Sequence, residues 1–152
     1  MQERSFSDPG DTIISVNVRA RREHILFICT ANVDRSRTAE DLYRHDSRYK
    51  VRSAGTAPFA TTPISKELLE WSDRVFVMNE REDLHQTQIR LRFPGIKRPV
   101  FDLDIPDRWF RGDPDLVKKI LAKLRPHLGE PVHSGDSGEW ELEFELDKPT
   151  EG

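Results

Sequence analysis

The sequence predicts a single α/β domain, a parallel sheet with helices on both faces. Three observations carry that expectation. Short apolar runs alternate with amphipathic stretches from about residue 24 to residue 128, the pattern of parallel strands joined by helical crossovers. The run Ile25-Leu26-Phe27-Ile28 is continuously apolar, as a strand buried on both faces has to be. The 152 residues fit one core, and their one cysteine excludes an internal disulfide or a multi-cysteine zinc site.

The elements follow in order. After the first strand comes a loop, then a helix from about Ser36 with Ala39, Leu42 and Tyr43 on one face. Lys50 to Ser53 reads as a second strand, closed by Gly55. Pro63 to Trp71 reads as a short helix with Pro63 near its start. Arg74 to Met78 is a third strand, residues 80–91 a helix, and Pro99 to Leu103 a fourth strand. In the last helix Asp113 can cap, Pro114 suits the first turn, and Leu116, Val117, Ile120, Leu121 and Leu124 form an apolar stripe.

Both ends differ from this body. Residues 1–23 are polar, with Pro9-Gly10 and a cluster of arginines, and read as an N-terminal extension. Residues 129–152 hold eight acids and one base, a net −7, so the overall −3 leaves the rest of the chain at +4. Within this acidic tail, Glu139 to Leu146 alternates acidic and apolar residues, a strand pattern. It could add to a sheet edge, pair with residues 12–18, or order only on a partner.

The composition also excludes function classes. Charged residues make up 34% and hydrophobic residues 36%, so part of the chain lies outside any core. No apolar stretch approaches a membrane span, and Ile13 to Val16 is too short for a signal-peptide core. A cytoplasmic, reducing compartment with no membrane partner is the expectation. Basic residues are scattered rather than striped, so no nucleic-acid partner is expected. The five histidines lack metal-ligand spacing, so neither a metal nor a cofactor is implied. The sequence leaves the oligomeric state open.

The chemistry-bearing segment is Cys29-Thr30-Ala31-Asn32-Val33-Asp34-Arg35-Ser36, between the buried strand and a helix N-terminus. Ligands of open parallel sheets bind outside the carboxyl ends of strands. Successive amide N–H groups there make an anion nest, and the helix N-terminus adds positive potential. Both effects favour negative charge on the Cys29 sulfur and make it a nucleophile near neutral pH. Arg35 can curl back so that its planar fork holds two oxygens of a phosphoryl group. Ser36 can donate to the sulfur, and Asn32 can brace the loop because it tolerates left-handed backbone angles. The alternative is a merely buried strand-end cysteine and a surface arginine. The strand–loop–helix junction and the serine after Arg35 favour chemistry.

This segment, Ile25 to Glu40, resembles the phosphate-binding loop of the low-molecular-weight protein tyrosine phosphatases: a strand, Cys-x5-Arg-Ser, then Ala-Glu. Ser53-Ala54-Gly55-Thr56 resembles the Ser-Ala-Gly-Thr after that family's second strand, and Asp73 to Met78 its strand ending in Met-Asp, with Asn79 in place of Asp. The resemblance covers roughly residues 24–128. It implies the family's four-stranded parallel sheet and hydrolysis of phosphomonoesters or phosphoproteins through a cysteinyl-phosphate. It also implies a general acid shortly before the last helix. In Asp104-Ile105-Pro106-Asp107-Arg108-Trp109-Phe110, Asp107 fits best, with Asp104 the runner-up; Asp113 reads as a helix start. Trp109 and Phe110 could wall the substrate pocket or pack in the core.

Three further departures from the family stand out. Asp34 occupies the place of a second loop cysteine, and its carboxylate must turn away or pair, with Arg37 the candidate partner. Arg37 itself stands where proline is usual. The segment from Thr56 to Pro63 is short, which alters the wall that selects substrate. Two other functions fit the same loop: an arsenate reductase drawing on an external thiol, and a phosphate- or phosphopeptide-binding module with little turnover.

Overall fold

The computed structural model describes residues 22–133. The alternating segment at 139–146, and the residues 12–18 that could pair with it, lie outside the described residues. Four strands, β1 (Glu23–Cys29), β2 (Tyr49–Gly55), β3 (Arg74–Val77) and β4 (Val100–Asp102), form one sheet in the order β2-β1-β3-β4. Every neighbouring pair is parallel, with Cys29 beside Gly55 and Ile28 beside Val77. The helices are α1 (Arg35–Tyr43), α2 (Lys66–Trp71), α3 (His85–Arg92) and α4 (Pro114–Leu128).

Alternation along β1 explains the layers. Ile25, Phe27 and Cys29 enter one apolar cluster with Ala39 and Tyr43 of α1 and Leu116, Ile120, Leu124 and Leu128 of α4. Leu26 and Ile28 enter the other, with Val75 and Val77 of β3, Leu69 of α2 and Ile89 of α3. A strand covered on both faces has no use for polar residues, hence its unbroken apolar run. Met78 is fully buried in the first cluster, a core residue as its position beside the sheet suggests.

Three predicted boundaries shift, each for a local reason. The expected helix 80–91 begins only at His85. Before it, Asn79 Oδ1 accepts from the Glu82 N–H at 2.5 Å and Leu84 adopts a left-handed φ of 55°. Glu80 then caps α3, accepting from the amides of Gln86 at 2.8 Å and Thr87 at 3.0 Å. Pro63 lies outside α2; it bridges Gly55, and Ser65 caps the helix by accepting from the Leu68 N–H at 3.1 Å. At the start of the body, Glu23 already belongs to β1 and pairs with Arg74 at 2.5 Å. Asp113 caps α4 as expected, accepting from the Asp115 N–H at 2.8 Å.

Candidate active site

The strand order reverses beside β1, with β2 on one side and β3 on the other. A crevice opens at such a switch point, outside the carboxyl ends of the strands. The segments after β1, β3 and β4 all reach it and supply the candidate residues.

The loop after β1 is held by its carbonyls. Cys29 O accepts from the Thr56 N–H (2.9 Å), Thr30 O from Ala57 (3.0 Å) and Ala31 O from Thr61 (3.1 Å). In a trans peptide the following N–H points opposite to the carbonyl. The amides of Thr30, Ala31 and Asn32 are therefore turned away from residues 56–61, toward the concave side of the loop, as an anion nest requires. Gly55 makes this approach possible: a Cβ there would stand 2.4 Å from Thr30 O and 2.7 Å from the Ala60 Cβ. That explains the glycine of Ser-Ala-Gly-Thr.

Asn32 takes the left-handed conformation anticipated for it, φ 58°, and is almost fully buried. Its Nδ2 donates to Ser36 Oγ at 2.8 Å and to Ser53 Oγ at 2.9 Å, while the Ser53 hydroxyl donates to Glu40 at 2.5 Å. Ser36 Oγ lies 3.0 Å from Cys29 Sγ. Because Ser36 Oγ already accepts from Asn32, its own hydrogen is available for a negative sulfur. The Val33 side chain is half exposed at the loop's tip.

Arg35 is no surface residue. It is 2% exposed, and its Nη1 donates to Asp83 at 2.8 Å and to Ile105 O at 2.9 Å. This spends the two Nη1 hydrogens and leaves the Nε–Nη2 edge of the fork for paired oxygens. Asp107 Oδ1 stands 3.8 Å from Nε on a largely exposed side chain, beside that edge. Asp104 instead takes a left-handed φ of 55° and pairs with Arg81 at 2.9 Å. Of the two candidate acids, Asp107 is thus the one found next to Arg35.

One expectation is corrected and one open choice is narrowed. Asp34 does not pair with Arg37: its Oδ1 accepts from the Arg111 N–H at 2.8 Å, and Arg37 reaches Glu40 at 3.6 Å. The partner of Asp34 is thus a backbone amide and not a cation, since the Arg111 guanidinium itself goes to Asp41 at 2.8 Å. The two aromatics part company: Trp109 packs partly buried against the first apolar cluster, and Phe110 is 81% exposed.

Two site residues escaped the sequence reading, Asp83 and His85, both in or just after the segment following β3. His85 is fully buried. Its Nδ1 accepts from the Asn79 N–H at 3.0 Å, so the proton sits on Nε2, which donates to Thr30 Oγ1 at 2.8 Å. Burial, reinforced by the nearby Arg35 charge, pushes its pKa down to about 4, against the weaker pull of Asp83 and Glu80. The switch point was the available signal, since a segment leaving β3 there must pass the loop. Among the described residues no group of His, Cys, Asp or Glu is arranged to hold a metal ion, and no helix is long and apolar enough to cross a membrane.

No protein-family model and no curated protein sequence matches the chain. Solved structures do. The YwlE arginine phosphatase of Geobacillus stearothermophilus is 25% identical with TM-score 0.54, over 70% of this chain and 92% of its own. The tyrosine phosphatase Wzb of Escherichia coli K30, in complex with phosphate, is 23% identical with TM-score 0.56, over 70% and 96%. A thioredoxin-dependent arsenate reductase of Corynebacterium glutamicum is 20% identical with TM-score 0.50, over 76% and 67%.

Proposed function

We propose, for a chain that is a divergent member of the low-molecular-weight protein tyrosine phosphatase family, hydrolysis of phosphomonoesters through a phosphocysteine at Cys29. The observation that carries this reading is the loop itself. Its carbonyls are bonded away, its amides are turned inward, Ser36 stands beside the sulfur, and a buried arginine is fixed at its end.

In the first step Cys29 Sγ attacks phosphorus, the P–O bond to the leaving group breaks, and Asp107 supplies the proton to the departing oxygen. The loop amides and the Nε–Nη2 edge of Arg35 hold the three peripheral oxygens, whose charge grows in the transition state. In the second step water attacks the phosphocysteine, Asp107 takes the water's proton, and the sulfur leaves as a thiolate that Ser36 can donate to. The remaining loop residues, Thr30, Ala31, Asn32, Val33 and Asp34, contribute backbone to the cradle, and Trp109 the packed base of the acid's segment.

The resemblance implies a phosphomonoester or phosphoprotein substrate, for which a small aryl phosphate and a phosphotyrosine peptide are the first probes. The structural neighbour at 25% identity is named for arginine phosphatase activity, so phosphoarginine belongs in the same panel. Arsenate reduction rests on a neighbour only 20% identical, and with one cysteine in the chain it would need an outside thiol.

The test is hydrolysis of a chromogenic aryl phosphate, phosphotyrosine peptides and phosphoarginine without added metal. Cys29→Ser should abolish turnover, and Asp107→Asn should lower kcat by about 10²–10⁴ while leaving phosphate binding intact. Undiminished turnover by Cys29→Ser would end the proposal. A kcat loss in Asp104→Asn but not in Asp107→Asn would move the acid.

A further inference from the structure

The sheet has an open side at β2. Gly55 N–H donates outward to Thr62 O and Gly55 O accepts from the Ile64 N–H, both at 2.8 Å. In a parallel strand, backbone groups of alternate residues face the same side. On the outer side with Gly55 are therefore Ser53, Val51 and Tyr49, whereas Lys50, Arg52 and Ala54 bond β1. Tyr49 N–H turns to Asp46 O at 3.2 Å. Between that turn and the Gly55–Pro63 bridge, the N–H and C=O groups of Val51 and Ser53 face a side with no described strand, because β2 ends the sheet order. Open edges of this kind are templates for a further strand.

The surroundings of that edge are cationic. Lys50 and Arg52 are exposed on β2 itself. A cleft of about 570 Å³ runs beside it, lined on one wall by Arg37, Glu40 and Arg44 of α1 and on the other by Ser65 and Leu68. Arg52 lies over the Trp71 ring at 4.5 Å, so its charge is held at the rim.

The chain's own continuation leaves the described residues at this place. The Val132 N–H donates to Asp46 at 2.8 Å, Arg48 donates to Glu130 O at 2.8 Å, and the His133 ring stands 6.1 Å from that of His45. Asp46 and Arg48 directly precede β2. Five residues lie between His133 and Glu139, and the six steps of chain reach up to about 20 Å, comparable to the full length of β2.

We propose that residues 139–146 dock as an added strand on the open edge of β2, in the same molecule. Glu139, Glu141, Glu143 and Glu145 would fall on the side of Lys50 and Arg52, and Trp140, Leu142, Phe144 and Leu146 on the side of Val51 and Leu42. Tether, hydrogen-bonding groups and charge agree on this site. The apolar groove near β4, lined by Val75, Ile89, Phe93 and Val100, lies at the opposite edge of the sheet. The docked strand would lie against Ser53, which holds Asn32 of the active-site loop.

Amide hydrogen exchange on the full chain tests this. The amides of Val51 and Ser53 should exchange slowly. In the double variant Leu142→Pro/Glu143→Pro, one proline must fall where an N–H would face β2, whichever side each residue takes. Exchange at Val51 and Ser53 should then rise at least tenfold, with the central-strand amide of Phe27 unchanged. Charge reversal by Glu141→Lys/Glu143→Lys should give the same local effect without proline. The proposal is overturned if Val51 and Ser53 exchange freely in the wild type, or if neither variant changes them selectively. It is also overturned if the variants expose β4 amides instead, or if protection grows with protein concentration, which would place a second copy's tail at the edge.

Discussion

A proton added to His85 must enter a fully buried ring beside the Arg35 guanidinium. The unfolded chain binds that proton near pH 6.5, the folded one only near pH 4. Between those values the unfolded state holds more protons, so stability is complete above about pH 6.5 and declines as pH falls toward 4. The loss amounts to at most about 3 kcal/mol, from one pKa unit being worth 1.36 kcal/mol. Urea unfolding at pH 7, 5.5 and 4.5 should show this slope in the wild type, and His85→Gln should flatten it. Equal slopes in both proteins would mean that the ring is not held neutral. The same residue marks the limit of sequence reading. Cys29, Asn32, Arg35 and Ser36 were legible because their chemistry is local to eight consecutive positions. His85 and Asp83 meet Thr30 and Arg35 only because β1 and β3 are neighbours, a contact across roughly fifty residues that no local pattern encodes.

At the scale of elements, the loop from Cys29 to Ser36 depends on the end of β2. The carbonyls of residues 29–31 hang on residues 56–61, and Gly55 sits under Thr30 without room for a methyl group. Gly55→Ala should destabilise the protein by about 1–3 kcal/mol, the usual cost of forcing bulk into a packed site. It should also weaken inorganic phosphate binding, because relief requires the loop to move. Denaturation together with phosphate titration checks both, and unaltered phosphate affinity would uncouple the glycine from the cradle. Helix α4 shows the opposite, wholly local logic: Asp113→Ala should cost about 1 kcal/mol from the lost cap and leave phosphate affinity alone. The boundaries of α4 were readable because Asp113-Pro114 and the apolar stripe act together. Those of α3 were not, since Asn79 and Glu80 spend their side chains on a turn that a helical pattern can also fill.

For the whole molecule, a parallel sheet of strands joined by helices was legible from apolar runs separated by amphipathic ones, whereas the spatial order, whose reversal beside β1 opens the crevice, was not. What the order does not encode is which acid faces Arg35. That choice comes from the backbone at Asp104, whose left-handed turn sends its carboxylate to Arg81, while Asp107 three residues on remains beside Arg35. The central claim is that a sulfur in this crevice carries the phosphoryl group between two chemical steps. Its most direct test is to quench the Asp107→Asn variant with acid during turnover of an aryl phosphate and locate the phosphoryl group by peptide mass spectrometry. The account predicts a phosphorylated peptide whose modification maps to Cys29. Steady turnover with an unmodified Cys29 peptide and no loss of activity in Cys29→Ser would contradict it.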